Sequence, residues 1–235
     1  VFFNSDGTIK SIQASARSVY EIVQSSLTDP KSQDVNYNFI LFYLKISNIL
    51  DPSFYEGYYY SAQIYQFLKQ FEQAELHYTM IPSTHSLYFQ SIKNIALNKS
   101  KMNKFAEGEA YLSELINQHP NEGSLLIALG DLYRFQKKYD QAIKYYSDII
   151  NTKKDNLSEK WRLLYLRGIC YERSSKWALA EIDFLESLEL KPGSPQVLNY
   201  LAYGWLERDL HLDRALQMLQ KAYAGNPNSY YILDS

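Results

Sequence analysis

The sequence predicts an all-α protein, a curved solenoid of stacked antiparallel helix pairs. Two observations predict it. Helix formers dominate the stretches between the few prolines, of which there are 7 in 235 residues. Within those stretches, small and bulky residues recur at a constant stride, which is typical of an architecture in which each unit stacks on the next.

The composition is that of a folded protein, with 46% hydrophobic and 21% charged residues. A formal net charge of −2, with no Lys or Arg run longer than two residues, argues against a nucleic-acid partner. No stretch approaches the roughly 18 apolar residues of a membrane span. The chain begins at Val1 without a methionine or a signal-type apolar segment, so we expect any targeting segment to have been removed.

The repeat shows most clearly from two glycines, Gly130 and Gly168. An aromatic residue follows each glycine by 3 residues, an alanine by 12 and a second aromatic residue by 16: Tyr133, Ala142 and Tyr146 after the first, and Tyr171, Ala180 and Phe184 after the second. Ala62, Ala96 and Ala202 begin weaker copies, the last after one inserted residue is allowed. The steps between these five origins are 34, 34, 38 and 34 residues.

Taken in order, the chain is predicted to hold an N-terminal extension, about six helix pairs and the start of a seventh. The extra residues of the 38-residue step fall in the polar segment NTKKDNLSEK. Pro120, Pro192 and Pro227 are expected to end second helices, because proline lacks the backbone donor. The predicted boundaries are 1–14 for the extension, 15–54, 55–88, 89–122, 123–160, 161–194 and 195–229 for the pairs, and 230–235 for the seventh.

Small residues at the repeat origins are expected to let the two helices of a pair approach closely. Gly168 on a first helix is predicted to meet Ala180 on the second helix, and Gly130 is predicted to meet Ala142. A glycine inside a helix costs about 1 kcal/mol relative to alanine, and close packing would offset that cost. Bulky residues would fill the space between neighbouring pairs, and the first helices would line the inner face.

These offsets resemble the tetratricopeptide repeat over roughly residues 15 to 235. The resemblance implies a right-handed superhelix of helix pairs, and a non-catalytic scaffold that holds an extended peptide or partner protein along its concave face. The chain departs from the family pattern at Lys99, where an aromatic residue is usual, and at Gly108, where an alanine is usual. Pro82 is expected to cut one second helix short.

In this family the ligand-facing residues lie on first helices at intervals of three and four. The stretch from Lys93 to Arg173 holds more cations than anions at these positions, which favours a peptide that carries carboxylates and an apolar or aromatic anchor. The alternative is that the arginines pair with nearby acids and only solvate this face. Carried onto this chain, the predicted ligand groove comprises Tyr59, Gln63, Phe67, Lys93, Lys101, Asp131, Arg134, Phe135, Arg162, Tyr165, Glu172, Arg173, Asn199 and Tyr203.

Neither a catalytic site, a metal site nor a cofactor is expected. The single cysteine, Cys170, lies between Gly168 and Tyr171, where a small buried hydrophobe fits, and every histidine is far from it in sequence. The four histidines show neither HxxxH nor HExxH spacing, and the chain lacks a phosphate-binding loop. We therefore predict that the protein is not an enzyme.

Two functions stay open from the sequence. The first is the binding of a protein or peptide in the groove. The second is structural: self-association or assembly with the groove empty, which includes a homo-oligomer. The region from Trp161 onwards is also similar to multi-repeat proteins of alphaproteobacteria. That similarity implies a bacterial protein of the periplasm or envelope, with the cytoplasm as the alternative.

Overall fold

The computed structural model describes residues 5, 17, 18, 21, 36–152 and 159–225. Within 36–152 and 159–225 the secondary structure consists of eleven α-helices, with no strand. The chain is therefore all-α, as predicted. The helices are α1 (Tyr37–Leu50), α2 (Tyr55–Phe67), α3 (Phe71–Tyr78), α4 (Tyr88–Lys101), α5 (Phe105–Gln118), α6 (Gly123–Phe135), α7 (Tyr139–Thr152), α8 (Lys160–Arg173), α9 (Trp177–Leu190), α10 (Pro195–Leu206) and α11 (Leu212–Gly225).

The helices fall into two compact units, Val1–Asn117 and Gln118–Ser235. In the first unit, α1 packs on α2, α2 on α3 and α3 on α4. In the second unit, each helix from α6 to α10 packs on the helix that follows it in the chain. Each unit is thus a helical repeat built from neighbours in sequence. The predicted extension at 1–14, apart from Ser5, and the predicted seventh repeat at 230–235 lie outside the described residues.

The turns inside the helix pairs repeat with the same stride as the small residues. A residue with positive φ follows the first helix of each pair, and these residues are Lys69, Asn103, Lys137, Ser175 and Asp209. Their spacing is 34, 34, 38 and 34 residues, which matches the steps between the repeat origins. At the first turn, the Lys69 amide donates to the Gln66 carbonyl and the Gln70 amide to the Tyr65 carbonyl. These bonds satisfy the last carbonyls of α2 at a cost of about 1 kcal/mol for the left-handed residue.

The small residues of the first helices make room for aromatic rings, which corrects one expectation. A β-carbon added to Gly168 would lie 2.7 Å from Cε1 of Phe184, and the three nearest atoms all belong to that ring rather than to Ala180. At Gly130 the corresponding distance is 2.8 Å, to Cε1 of Tyr146. The pairs therefore close by fitting a large ring against a bare backbone.

Replacing Gly168 by alanine is expected to lower the free energy of unfolding by up to about 2 kcal/mol. Alanine is the better helix former by about 1 kcal/mol, but the added methyl group collides with the Phe184 ring, and overpacking costs about 1–3 kcal/mol. Chemical denaturation followed by circular dichroism measures the change. Combining Gly168→Ala with Phe184→Leu should cost less than the sum of the two single changes. A more stable Gly168→Ala variant would contradict the steric account.

The two departures from the family pattern in the first unit, Lys99 and Gly108, lie where α4 and α5 meet. Lys99 places its Nζ 2.8 Å from Oε1 of Glu75 on α3 and 3.5 Å from Oε2 of Glu107 on α5. The hydrogen bond to Glu75 is the main cause of a raised pKa for Lys99. On α5, a β-carbon at Gly108 would lie 2.9 Å from the Ala96 carbonyl oxygen. Lys99 thus makes an ion-paired link between three helices, and the bare backbone at Gly108 allows α4 and α5 to approach closely.

The second helix that precedes Pro82 is shorter than the other second helices described. Helix α3 has 8 residues, whereas α5, α7, α9 and α11 have 14 each. Pro82 lies four residues beyond the end of α3, as expected for a shortened helix. In the described part of the chain, none of the helices has the length and apolar character needed to cross a membrane.

Candidate functional site

A pocket of about 350 Å³ opens in the first unit between α2, α3 and α4. Helix α2 and helix α4 are both first helices of predicted pairs, and α3 lies between them in the chain. Most of the lining is polar but uncharged, with four carboxamides and two phenols. The lining residues are Tyr59, Gln63, Gln66, Phe67, Tyr78, Gln90, Asn94 and Lys101.

A chain of hydrogen bonds fixes part of this lining. The Asn94 amide donates to the Tyr78 hydroxyl at 3.0 Å, and that hydroxyl donates to Oε1 of Gln66 at 3.1 Å. Burial raises the pKa of Tyr78, so the phenol keeps its proton and its role as a donor. Burial also raises the pKa of Tyr59, an effect that hydrogen bonds with Asn94 and Gln90 partly offset. The bonds tie α2, α3 and α4 together at this pocket.

The structure brings four of the predicted groove residues together here: Tyr59, Gln63, Phe67 and Lys101. Lys93, predicted for the same surface, is not among the lining residues. Sequence reasoning missed four others, which are Gln66, Tyr78, Gln90 and Asn94. Gln90, Asn94 and Lys101 are separated by four and seven residues, so they lie on one face of the helix. Counting back from Lys101 by seven and then by four residues would have identified Asn94 and Gln90.

In the second unit, the predicted residues on α6 form a buried network. Asp131 is almost fully buried and accepts a 2.7 Å hydrogen bond from the Tyr146 hydroxyl. The Arg134 Nε donates to the same hydroxyl at 3.3 Å, and its Nη2 lies 3.5 Å from Oδ1 of Asp131. Asp131 therefore contributes to the packing of α6 against α7. Phe135, one residue further on, is exposed.

The predicted arginines on α8 also lie beside acids. Arg162 Nη1 is 3.1 Å from Oε2 of Glu159, and Arg173 Nε is 3.3 Å from Oε2 of Glu172. Together with Arg134 and Asp131, each predicted arginine of this unit has a carboxylate within 3.5 Å. This arrangement agrees with the alternative in which these arginines pair locally, and it gives the positive groove no support in the second unit.

The remaining predicted residues lie on α8 and α10. The Tyr165 ring packs edge-on against Tyr200 with their centroids 5.5 Å apart. Asn199 is half-buried and Tyr203 is exposed. Neither Asn199 nor Tyr203 lines the pocket of the first unit.

Cys170 is fully buried, as its place between Gly168 and Tyr171 predicts. Burial raises the pKa of its thiol to about 12, which leaves almost no thiolate at neutral pH. Such a cysteine acts as a packing residue. In the described residues, no group of three or more His, Cys, Asp or Glu side chains is arranged to hold a metal ion.

One buried ion pair was missed by sequence reasoning. Arg167 on α8 donates from Nε to Oδ2 of Asp183 at 2.8 Å and from Nη2 to Oδ1 at 2.7 Å. Its third donor, Nη1, reaches the Ser147 hydroxyl on α7 at 3.0 Å. The Arg167 and Asp183 side chains are 15% and 3% exposed. This two-point pair joins α7, α8 and α9 within the second unit.

Residues 94–156 match a family model described as a tetratricopeptide repeat. Residues 94–156 contain tetratricopeptide repeats. A comparison with curated proteins finds no significant match. The match spans parts of both units, and the helix pairs on either side have the same turn spacing.

Solved structures share the tetratricopeptide repeat fold with this chain. Yeast Tom70 superposes with a TM-score of 0.76 at 18% identity, covering 91% of this chain and 44% of the Tom70 chain. A tetratricopeptide repeat protein from Parabacteroides merdae gives a TM-score of 0.66 at 13% identity, covering 95% of this chain and 90% of the other. YrrB, described as having an unusual peptide-binding site, gives 0.51 at 15% identity, covering 81% of this chain and 96% of its own.

This chain spans less than half of the length of the Tom70 chain. At these identities the likeness shows the fold alone. Tetratricopeptide repeat proteins are generally non-catalytic, and their fold suggests a scaffold for protein–protein interaction, with proteins or peptides as partners.

Proposed function

We propose that the protein binds an extended segment of a partner protein in the pocket between α2, α3 and α4. The observation that carries this proposal is the pocket's lining, in which exposed Gln63 and Gln90 face a space also bordered by aromatic rings. A carboxamide both donates and accepts hydrogen bonds, so it complements the peptide groups of an extended chain. The volume of about 350 Å³ lies at the small end of the range for ligand pockets.

The fold supports the same proposal. YrrB, whose described peptide-binding site occurs in the same repeat fold, is an example of a protein of this architecture that holds a peptide. The hydrogen bonds from Asn94 to Tyr78 and from Tyr78 to Gln66 hold the pocket's floor before any ligand arrives. A site that is ordered in advance loses less entropy on binding.

A random peptide library displayed on phage and selected on the immobilised chain tests the proposal. Selected peptides should bind a variant with Gln63→Ala and Gln90→Ala at least about 10-fold more weakly than the parent, because two exposed hydrogen-bonding groups of the lining are removed. The matched control is Gln141→Ala with Gln217→Ala, two exposed glutamines of the second unit, and it should bind like the parent. Enrichment of no peptide, or equal binding to the pocket variant, would refute the proposal.

A second candidate function, assembly, is favoured by exposed apolar side chains on two second helices. Leu179 and Ile182 on α9, and Leu212 and Leu216 on α11, are each 45% or more exposed. Apolar residues on a surface often mark contacts with other proteins. A pull-down with the immobilised chain tests this alternative. If the chain captures only further copies of itself, and Gln63→Ala with Gln90→Ala leaves this capture unchanged, assembly is the better account.

A further inference from the structure

We infer that a second copy of this chain covers the outer face of α1, and that the two copies of α1 pack antiparallel around a two-fold axis. The inference goes beyond the binding of a peptide in the pocket, because it concerns a different surface of the first unit. It also needs none of the exposed side chains of α9 and α11.

Helix α1 carries large apolar side chains on two opposite faces. On one face, Ile40 and Leu44 are buried in the first unit, where they pack with Ile64 of α2. The opposite face, which we call the outer stripe, comprises Phe39, Phe42, Ile46 and Ile49. Ile46 is half-buried, and the other three side chains are 51%, 58% and 68% exposed. A continuous apolar face of this kind is typical of a contact with another protein.

The outer stripe has the spacing of a contact between two helices. Its residues follow one another by three, four and three positions, which is the a and d pattern of a coiled coil. At this spacing the four side chains stay in one line, which runs for about 15 Å along the helix. The spacing therefore favours another helix with an apolar stripe of its own as the partner.

The outer stripe is complementary to itself when two copies run antiparallel. A two-fold axis at its midpoint places Phe39 opposite Ile49 of the second copy, and Phe42 opposite Ile46 of the second copy. Each layer of the contact then holds one phenylalanine and one isoleucine, so all layers have the same volume. A parallel arrangement would instead give two layers of paired phenylalanines and two of paired isoleucines, which pack less evenly.

The apolar character of this side belongs to α1 and α3, and the later repeats do not share it. Leu76 and Met80 lie one 34-residue repeat after Phe42 and Ile46, and both are exposed. At these two repeat positions, each later second helix of the described chain carries at least one charged residue. The pairs are Ala110 and Glu114, Lys144 and Asp148, Ile182 and Glu186, and Gln217 and Lys221. The repeat itself therefore does not require apolar side chains there.

The exposed apolar area matches what a dimer contact of ordinary size requires. Leu76, Met80 and the three exposed residues of the outer stripe are each about half exposed or more. A fully covered aromatic side chain buries about 150–250 Å², and an aliphatic one somewhat less, so the five offer on the order of 500 Å². A standard interface covers about 800 Å² of each partner, of which about 60% is apolar, or about 480 Å². A second copy would supply a surface of the same size and kind.

Sedimentation equilibrium over a range of chain concentrations tests the inference. The parent should form a dimer, and Phe42→Lys should raise its dissociation constant at least about 10-fold, because an ammonium group would enter an apolar contact. The matched control is Ile182→Lys on α9, at the same repeat position and with nearly the same exposure, and it should stay within about 2-fold of the parent. A monomeric parent, or equal weakening by both substitutions, would overturn the inference.

Disulfide formation between cysteine variants gives a second readout, which holds even if Phe42→Lys impairs folding. A mixture of Phe39→Cys and Ile49→Cys chains should form a mixed disulfide under oxidising conditions, because antiparallel packing brings these two positions together. Each variant alone should stay uncrosslinked, since its two new cysteines would lie about 15 Å apart along the helices. Mass spectrometry identifies the linked peptides. A Phe39→Cys chain that links to itself, or the absence of the mixed disulfide, would contradict antiparallel packing.

Discussion

Replacing Asp183 by alanine is expected to lower the free energy of unfolding by about 3–5 kcal/mol. The change leaves the Arg167 guanidinium, 15% exposed, without the carboxylate that receives two of its hydrogen bonds at 2.7 and 2.8 Å. Removing one partner of a buried pair is costly because the remaining charge stays away from water. Urea denaturation monitored by circular dichroism provides the measurement.

The matched control is the more exposed pair between Lys160 and Glu186, whose side chains are 25% and 38% exposed. Glu186→Ala should cost less than about 1 kcal/mol. A double variant, Arg167→Met with Asp183→Leu, should recover much of the stability that Asp183→Ala loses, because apolar side chains can fill the same space. If Asp183→Ala and Glu186→Ala lowered the free energy of unfolding equally, burial would not determine how much an ion pair contributes to stability.

Stability is expected to fall steeply above about pH 10. Burial raises the pKa of Tyr78 and of Tyr146, both fully buried, and it raises the pKa of Tyr111 to about 12. Above about pH 10 the unfolded chain releases these phenolic protons while the folded chain keeps them, so the unfolded state binds fewer protons and gains stability. Above about pH 10, Tyr78 and Tyr146 together should lower the free energy of unfolding by about 3 kcal/mol per pH unit. Lys99 acts in the same direction, because its pKa is also raised in the fold.

The free energy of unfolding measured between pH 8 and pH 11 tests this expectation. Tyr78→Phe removes one buried phenol, so it should lower the slope by about 1.4 kcal/mol per pH unit above pH 10, whatever it does to stability at neutral pH. If the free energy of unfolding of the parent did not change between pH 10 and pH 11, the phenols would ionise in the folded protein, which would contradict this expectation.

The positions of the helices follow from the repeat, whereas the contacts inside each pair depend on register. Offsets from Gly130 and Gly168 placed α6 to α9 because glycine, alanine and aromatic residues recur at fixed distances. The partner of Gly168 was wrong because the closest contact across a pair lies 16 residues away, at Phe184, and not 12. The same separation of 16 residues joins Arg167 to Asp183, so the correct register would also have revealed the ion pair.

Residue types alone do not predict the turn residues or the lining of the pocket. Lys69, Lys137 and Ser175 have left-handed backbones, but none is the glycine or asparagine that marks such a position in a sequence. On α4, the family's usual columns favoured Lys93, while the structure turns Gln90 and Asn94 to the pocket. A rotation of one helix by a fraction of a turn changes which side chains it presents, and that rotation depends on packing.

The hydrogen bond from Asn94 to Tyr78 spans 16 residues of chain, and the one from Arg167 to Ser147 spans 20. Such contacts close short loops, and the entropy lost on closure grows with loop length. Topologies dominated by nearby partners fold fast, on the microsecond-to-millisecond scale typical of helical proteins. Folding can start at any helix pair and spread to its neighbours, because each pair packs mainly on the pairs next to it in the chain.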